Sequence, residues 1–298
     1  MTESHTVARA RTGAFYAVSA YAFWGLMPIY WHALGPIDAV EIVLHRAVWS
    51  TVFVVGLVVA TGRWPALREA MGERRRLLAL MLSGVLVMGN WSCFIWAVQH
   101  GFVLETSLGY YINPLVSVML GVVVLGDRLG RTRACAVALA AIAVLYLTWS
   151  LGVAPWLALF LATTFGLYGL IRKLVPTEPL VGLAIETGFV APFGLVWMIW
   201  AADNGHSAFL ADGFGWRELL LVGSGPATAL PLVWFAAAAS RLSLSSVGFF
   251  QYIGPTLQFL LAVFLFGEAF THAHFVAFLL IWAALALVSW EAIRLHRA

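Results

Sequence analysis

The sequence predicts an all-α integral membrane protein: ten transmembrane helices as two inverted five-helix repeats, with both termini cytoplasmic. Three observations carry that prediction. The first is composition. Of 298 residues, 62% are hydrophobic and only 10% are charged, against ~45–50% and ~25% in soluble domains. So much apolar surface has no place inside a soluble core. The second is the length of the apolar runs, about 20 residues each, enough helix to cross ~30 Å of hydrocarbon. The third is an internal repeat. The stretch GYYINPLVSVMLGVVVLGD at 109–127 recurs without a gap as FQYIGPTLQFLLAVFLFGE at 250–268. Six of the nineteen aligned pairs are identical, among them Tyr111/Tyr252, Pro114/Pro255 and Gly126/Gly267, and Asp127 falls opposite Glu268. A repeat of this kind sets the architecture before any single residue is weighed.

Taken in order, the spans are expected near 13–33, 38–61, 77–97, 102–125, 132–149, 155–172, 180–202, 216–240, 244–267 and 273–293. The first run is too long and too aromatic for a signal-peptide core and reads as an uncleaved span. Connections are short. The two longest, 62–76 and 203–215, leave no room for a soluble domain. Basic residues sort strongly: fifteen of the seventeen Lys and Arg fall at the termini or in the connections after spans 2, 4, 6 and 8. By the positive-inside rule that side is cytoplasmic. The Arg74–Arg76 run reads as a topology determinant near lipid headgroups. Cys93 and Cys135 lie in apolar runs without a CxxC neighbour and read as small core residues. The net charge of +3 suggests no nucleic-acid partner.

The orientation gives the repeat its geometry. Asp127 is expected on the cytoplasmic side and Glu268 on the outer side, although they are sequence counterparts. Five spans per copy is an odd number, so the second copy inserts upside down. The first repeat is expected over 1–149 and the second over 150–298. The same register matches Gly84 with Gly225 and Phe94 with Phe235. Secondary transporters use such halves around a site near the bilayer midplane.

The segments FWGLMPIYWHAL, EIVLHRAVWS, NWSCFIWAV, ETSLGYYINPL, TTFGLYGLIRK, TALPLVWFAAA and GFFQYIGPTLQFLLAVFLFGE resemble the RarD-type branch of the EamA-like family. That branch belongs to the drug/metabolite transporter superfamily. The resemblance spans about residues 13 to 290. It implies a ten-helix inverted-repeat fold in the bacterial inner membrane and solute movement by alternating access. It also implies a historical link to chloramphenicol sensitivity, with the natural substrate open. Asp127 departs from the Glu of the family segment.

Polar residues inside the spans are the site candidates. Arg46 lies about eight residues into span 2, where arginine costs ~2.5–3.5 kcal/mol on insertion scales. Glu41, Glu105 and Glu186 are its candidate ion-pair partners and also candidate proton-coupling groups. Glu41, His45 and Trp49 share one helix face at i, i+4 and i+8. His45 reads either as a hydrogen-bonded histidine or as a proton carrier. On span 4, Tyr110, Tyr111 and Pro114 share a partly polar stripe with Ser107 and Ser117. On span 9, Gln251, Tyr252, Pro255 and Gln258 repeat it. A polar stripe on a membrane helix points inward, and the two prolines are expected to bend their helices. Asn90 and Trp91 in span 3, with Tyr21 and Trp24 in span 1, complete the pathway candidates. Asp127 and Glu268 are expected at helix C-terminal ends, where the dipole disfavours a carboxylate. Offset charges and gates are both open readings there.

The function expected is secondary transport of a small amphipathic metabolite or drug, by export rather than import. The partners expected are a small-molecule substrate, the lipid bilayer and protons. No cofactor, metal or catalytic residue is expected, and no phosphate-binding loop of the GxxxxGKT type is present. A membrane-embedded lipid-modifying enzyme is the alternative, with His272 and His274 near Glu268 as its nearest cluster. A non-transporting membrane subunit is the other. Oligomeric state has no sequence signal.

Overall fold

The computed structural model describes residues 3–126, 130–211, 213–239, 241–242 and 250–297. In chain order the helices are α1 (Glu3–Ala33), α2 (Ala39–Ala60), α3 (Trp64–Gly72), α4 (Arg74–Gln99), α5 (Val103–Leu125) and α6 (Arg131–Leu151). They continue as α7 (Trp156–Leu174), α8 (Pro179–Asp203), α9 (Trp216–Ala239), α10 (Ile253–Leu260) and α11 (His272–Arg297). A π-helical turn, Leu261–Leu265, extends α10. The described residues contain no strand. Among the described residues, eight helices are long and apolar enough to cross a membrane: α2, α4, α5, α6, α7, α8, α9 and α11. This is the architecture of a multi-pass integral membrane protein. The helix α1 is long enough as well, but its tyrosines, tryptophans, Ser19 and Pro28 dilute its apolar character. The outer faces present Val123, Trp149, Val196 and Phe264, all exposed, as a lipid-facing surface requires.

The helices assemble in pairs. Helix α2 runs along α8, α5 along α7, and α6 along α11. Helices α1 and α2 both pack on α9, and α4 packs on α7 and α8. Glycine permits several of these crossings, among them α4 on α8 and α2 on α9. A Cβ on Gly84 would sit 2.9 Å from the Glu186 carbonyl oxygen, and one on Gly225 would sit 2.5 Å from that of Trp49. Backbones approach this closely only where a side chain is missing, the usual device of membrane helix packing.

Three expectations need correction. The connection at 62–76 is not a plain loop, because it holds α3. Pro65 in the first turn starts that helix, and Leu67 and Ala70 tuck under a small core with Val54, Val58 and Leu80. Second, the described part of span 9 is not one straight helix. Gln251 and Tyr252 form a turn ahead of α10. Pro255 therefore lies in the first turn of α10, directly after this interruption, where its missing N–H breaks no bond within α10. Pro114 lies inside α5. Third, Glu268 is not at the C-terminal end of a helix. Gly267 adopts a left-handed φ of 67° and the Glu268 N–H bonds back to the Ala262 carbonyl at 2.9 Å, which closes the helix before the carboxylate. Gly126 ends α5 with a φ of 72° in the same way. Its neighbour Asp127 lies outside the described residues.

Candidate functional site

Helix α2 is held at its start by Asp38, whose carboxylate accepts the Val40 N–H at 2.8 Å. One turn in, Glu41 accepts the Ser207 hydroxyl at 2.9 Å and the Ala208 N–H at 2.8 Å. It thus fastens α2 to the α8–α9 connection. His45 is fully buried. Its Nδ1 accepts the Trp49 indole N–H at 3.3 Å, its ring packs on Phe209, and its Nε2 has no partner.

Arg46 occupies the next position and turns toward the bundle interior, where it is only 7% exposed. Its Nε donates to Thr228 Oγ1 of α9 at 2.8 Å. Its guanidinium carbon sits 3.5 Å from the ring centre of Trp91 in α4 and 5.2 Å from that of Trp31 in α1. Tyr30 and Tyr110 lie within electrostatic reach. Four helices therefore meet at one cation. Among the described residues no carboxylate pairs with it. A desolvated cation–π contact is worth ~2 kcal/mol and a hydrogen bond to a charged group ~1.5–3 kcal/mol. Together they offset the cost of burying the cation without neutralising it.

Among the described residues none of the carboxylates expected to pair with Arg46 does so. Glu186, 1% exposed, lies 3.5 Å from Arg172 Nη1 and accepts the Ser83 hydroxyl at 2.6 Å. Tyr168 adds a long bond at 3.5 Å. Glu41 is spent on the α8–α9 connection. Glu105 lies in the first turn of α5 with Oε2 enclosed and unpartnered, within reach of Cys93 and Glu268. The other member of that pair, Glu268, clasps the start of the same helix. Its two oxygens accept the Val103 and Leu104 N–H groups at 2.6 and 2.8 Å. The expected dipole penalty is thus reversed, because an anion at a helix N-terminus is favoured. Burial raises the Glu268 carboxyl above the usual range, while these two N–H bonds pull it down.

The remaining candidates fall into separate groups. Asn90 donates to the Leu161 carbonyl at 3.0 Å and to Thr164 at 2.8 Å, fixing α4 to α7 and leaving its own Oδ1 unpartnered. Gln258 reaches the Trp24 carbonyl at 3.5 Å. Tyr111 hydrogen-bonds Thr256 at 2.6 Å and stacks with Tyr252. These two tyrosines line a cleft of about 370 Å³ with Trp282 and Ser289, away from the contacts of Arg46. Sequence reasoning missed Thr228, Trp31 and Arg172. Arg172 had a usable signal. Only a short connection separates α7 from α8, which keeps Arg172, in the last turn of α7, near Glu186, fourteen residues on.

Comparison with known proteins places these features in a group. The family described as the EamA-like transporter family matches residues 11–149. A protein of Vibrio cholerae named an uncharacterized transporter is 44% identical over 290 residues, covering 97% of this chain and 95% of that protein. The Escherichia coli protein RarD is 42% identical over 289 residues, covering 97% of each. A solved crystal structure at 16% identity superposes with a TM-score of 0.61 over 95% of this chain and 98% of its own. That likeness speaks for the fold alone.

Proposed function

The chain belongs to the EamA-like transporter family, in its RarD-type branch, and from that premise we propose that it exports a small amphipathic metabolite by alternating access. Membrane transport is the activity that its relatives are named for. The reading adds a substrate class, a direction and a pathway. It places the protein in the bacterial inner membrane with ten spans, α1 and α10 joining the eight, and with both termini inside.

One observation carries the pathway. Arg46 is a buried cation lodged between α1, α2 and α4 of the first half and α9 of the second. A charge at such a junction marks a solute route more often than it serves stability. The helix pairing supports two inverted halves. Exchanging the halves turns the α1–α9 contact into α7–α4, and the α2–α9 contact into α8–α4; all four contacts are present. The α2–α8, α5–α10 and α6–α11 contacts map onto themselves. Gly84 and Gly225, matched by the 141-residue register, stand at equivalent crossings.

The test has two steps. Extracellular metabolites are compared between cells lacking and cells overproducing the protein. The compound that follows the protein is then assayed in proteoliposomes with and without a pH gradient. Flux that needs the protein supports the reading. Intact protein that moves none of the accumulated compounds contradicts it.

A further inference from the structure

We infer that the Arg46 cluster binds the single carboxylate of an otherwise apolar metabolite, gripped end-on by the two terminal guanidinium nitrogens. The inference rests on the transport reading above and adds the substrate's charge and shape. Three observations carry it.

The first is which edge of the guanidinium is free. Thr228 takes Nε at 2.8 Å, so the side edge is occupied. Among the described residues Nη1 and Nη2 have no hydrogen-bond partner. Neither nitrogen is fully enclosed. That leaves the end edge, a pair of parallel donors suited to the two oxygens of a carboxylate.

The second is the missing counter-charge. Glu41 is held by Ser207 and Ala208, Glu186 by Arg172 and Ser83, and Glu218 by the N–H groups of Leu210 and Gly215. Glu105 is unpartnered but lies beside Glu268, and among the described residues no carboxylate reaches Arg46. A monoanion completes the charge balance. A dianionic phosphate would leave a second charge buried without a partner, a costly arrangement. An α-amino acid would bring an ammonium beside a guanidinium with no carboxylate to receive it.

The third is the wall. Trp91 and Trp31 cover the guanidinium, and Tyr110 stands nearby within an aromatic group with Phe94 and Phe165. Aromatic faces suit a flat apolar body attached to the carboxylate.

Four matched probes test the inference on the purified full-length protein by titration calorimetry: 3-phenylpropionate, 3-phenylpropanamide, phenylalanine and 2-phenylethyl phosphate. The carboxylate is expected to bind at least about tenfold tighter than the other three. Arg46→Gln is expected to lose about tenfold or more for the carboxylate and to leave the amide unchanged. Arg46→Lys, a point charge without the fork, is expected to fall between. Equal affinity for carboxylate and amide overturns the inference. So does tighter binding of phenylalanine or the phosphate ester, or absence of binding by all four. The probe comparison needs no variant, so misfolding of Arg46→Gln cannot hide the answer. The two readings also fail differently. Flux of a neutral or cationic metabolite that ignores Arg46→Gln removes this inference and leaves transport standing. Carboxylate binding without flux of any solute does the reverse.

Discussion

Two arginines in this protein, Arg46 buried and Arg172 partly buried, have opposite settings. Arg172, at the end of α7, faces Glu186 at 3.5 Å, with Ser83 and Tyr168 completing the carboxylate's shell. Arg46, deep in α2, faces two tryptophan rings and one threonine hydroxyl. The first charge is neutralised by the fold. The second is tolerated by it. A protein able to pair Arg172 with a buried carboxylate has not paired Arg46 with one at the junction of four helices. That contrast, more than the burial of Arg46 alone, singles out the second site as the one awaiting a charge from outside.

The contrast can be broken at either end. The largest effect is expected at the neutralised site. Glu186→Ala leaves Arg172 unpaired and is expected to cost about 3–5 kcal/mol, read as a lowered unfolding temperature in detergent. Next is Gly225→Ala. The added methyl would press on the Trp49 backbone, and an overpacked crossing costs about 1–3 kcal/mol. The substitution separates α2 from α9 and is expected to weaken substrate affinity along with stability. Thr228→Val removes the hydroxyl from Nε and keeps the shape. It is expected to cost about 1.5 kcal/mol, with affinity falling severalfold as the guanidinium loses its orientation.

The smallest effect is at the Glu268 clasp. Burial sets its folded pKa above the unfolded value. A carboxyl shifted upward is less favourable to the folded state when ionised, so this group's contribution improves as pH falls through the folded pKa. Glu268→Gln removes that component. The stability difference between wild type and Glu268→Gln is expected to move in favour of wild type between about pH 7 and about pH 5. A difference independent of pH contradicts the assigned shift.

How much of this was legible in the sequence follows from what each feature depends on. Eight of the ten expected spans correspond to helices long and apolar enough to cross a membrane, and these depend on local composition and were readable. Arg46 was visible as an anomaly because a charge in an apolar run needs no partner to be noticed. Its setting was not visible, since Trp31, Trp91 and Thr228 come from three other helices and no spacing links them to α2. Glu268 misled for a local reason. An unbroken apolar run through Phe266 looks like one helix ending in a carboxylate. The π-helical turn and the left-handed Gly267 end it early and aim Glu268 at the start of α5. The short helix α3 was passed over because its apolar face is only Leu67 and Ala70 wide.

The most direct measurement is initial flux of the protein-dependent metabolite into proteoliposomes holding equal amounts of wild-type and Arg46→Gln protein. The account predicts that wild type moves it and that Arg46→Gln, with an unfolding temperature close to wild type, is slower by at least about tenfold, a loss of ~1.4 kcal/mol. Equal rates from the two proteins would contradict it, and would return Arg46 to the role that Arg172 already plays.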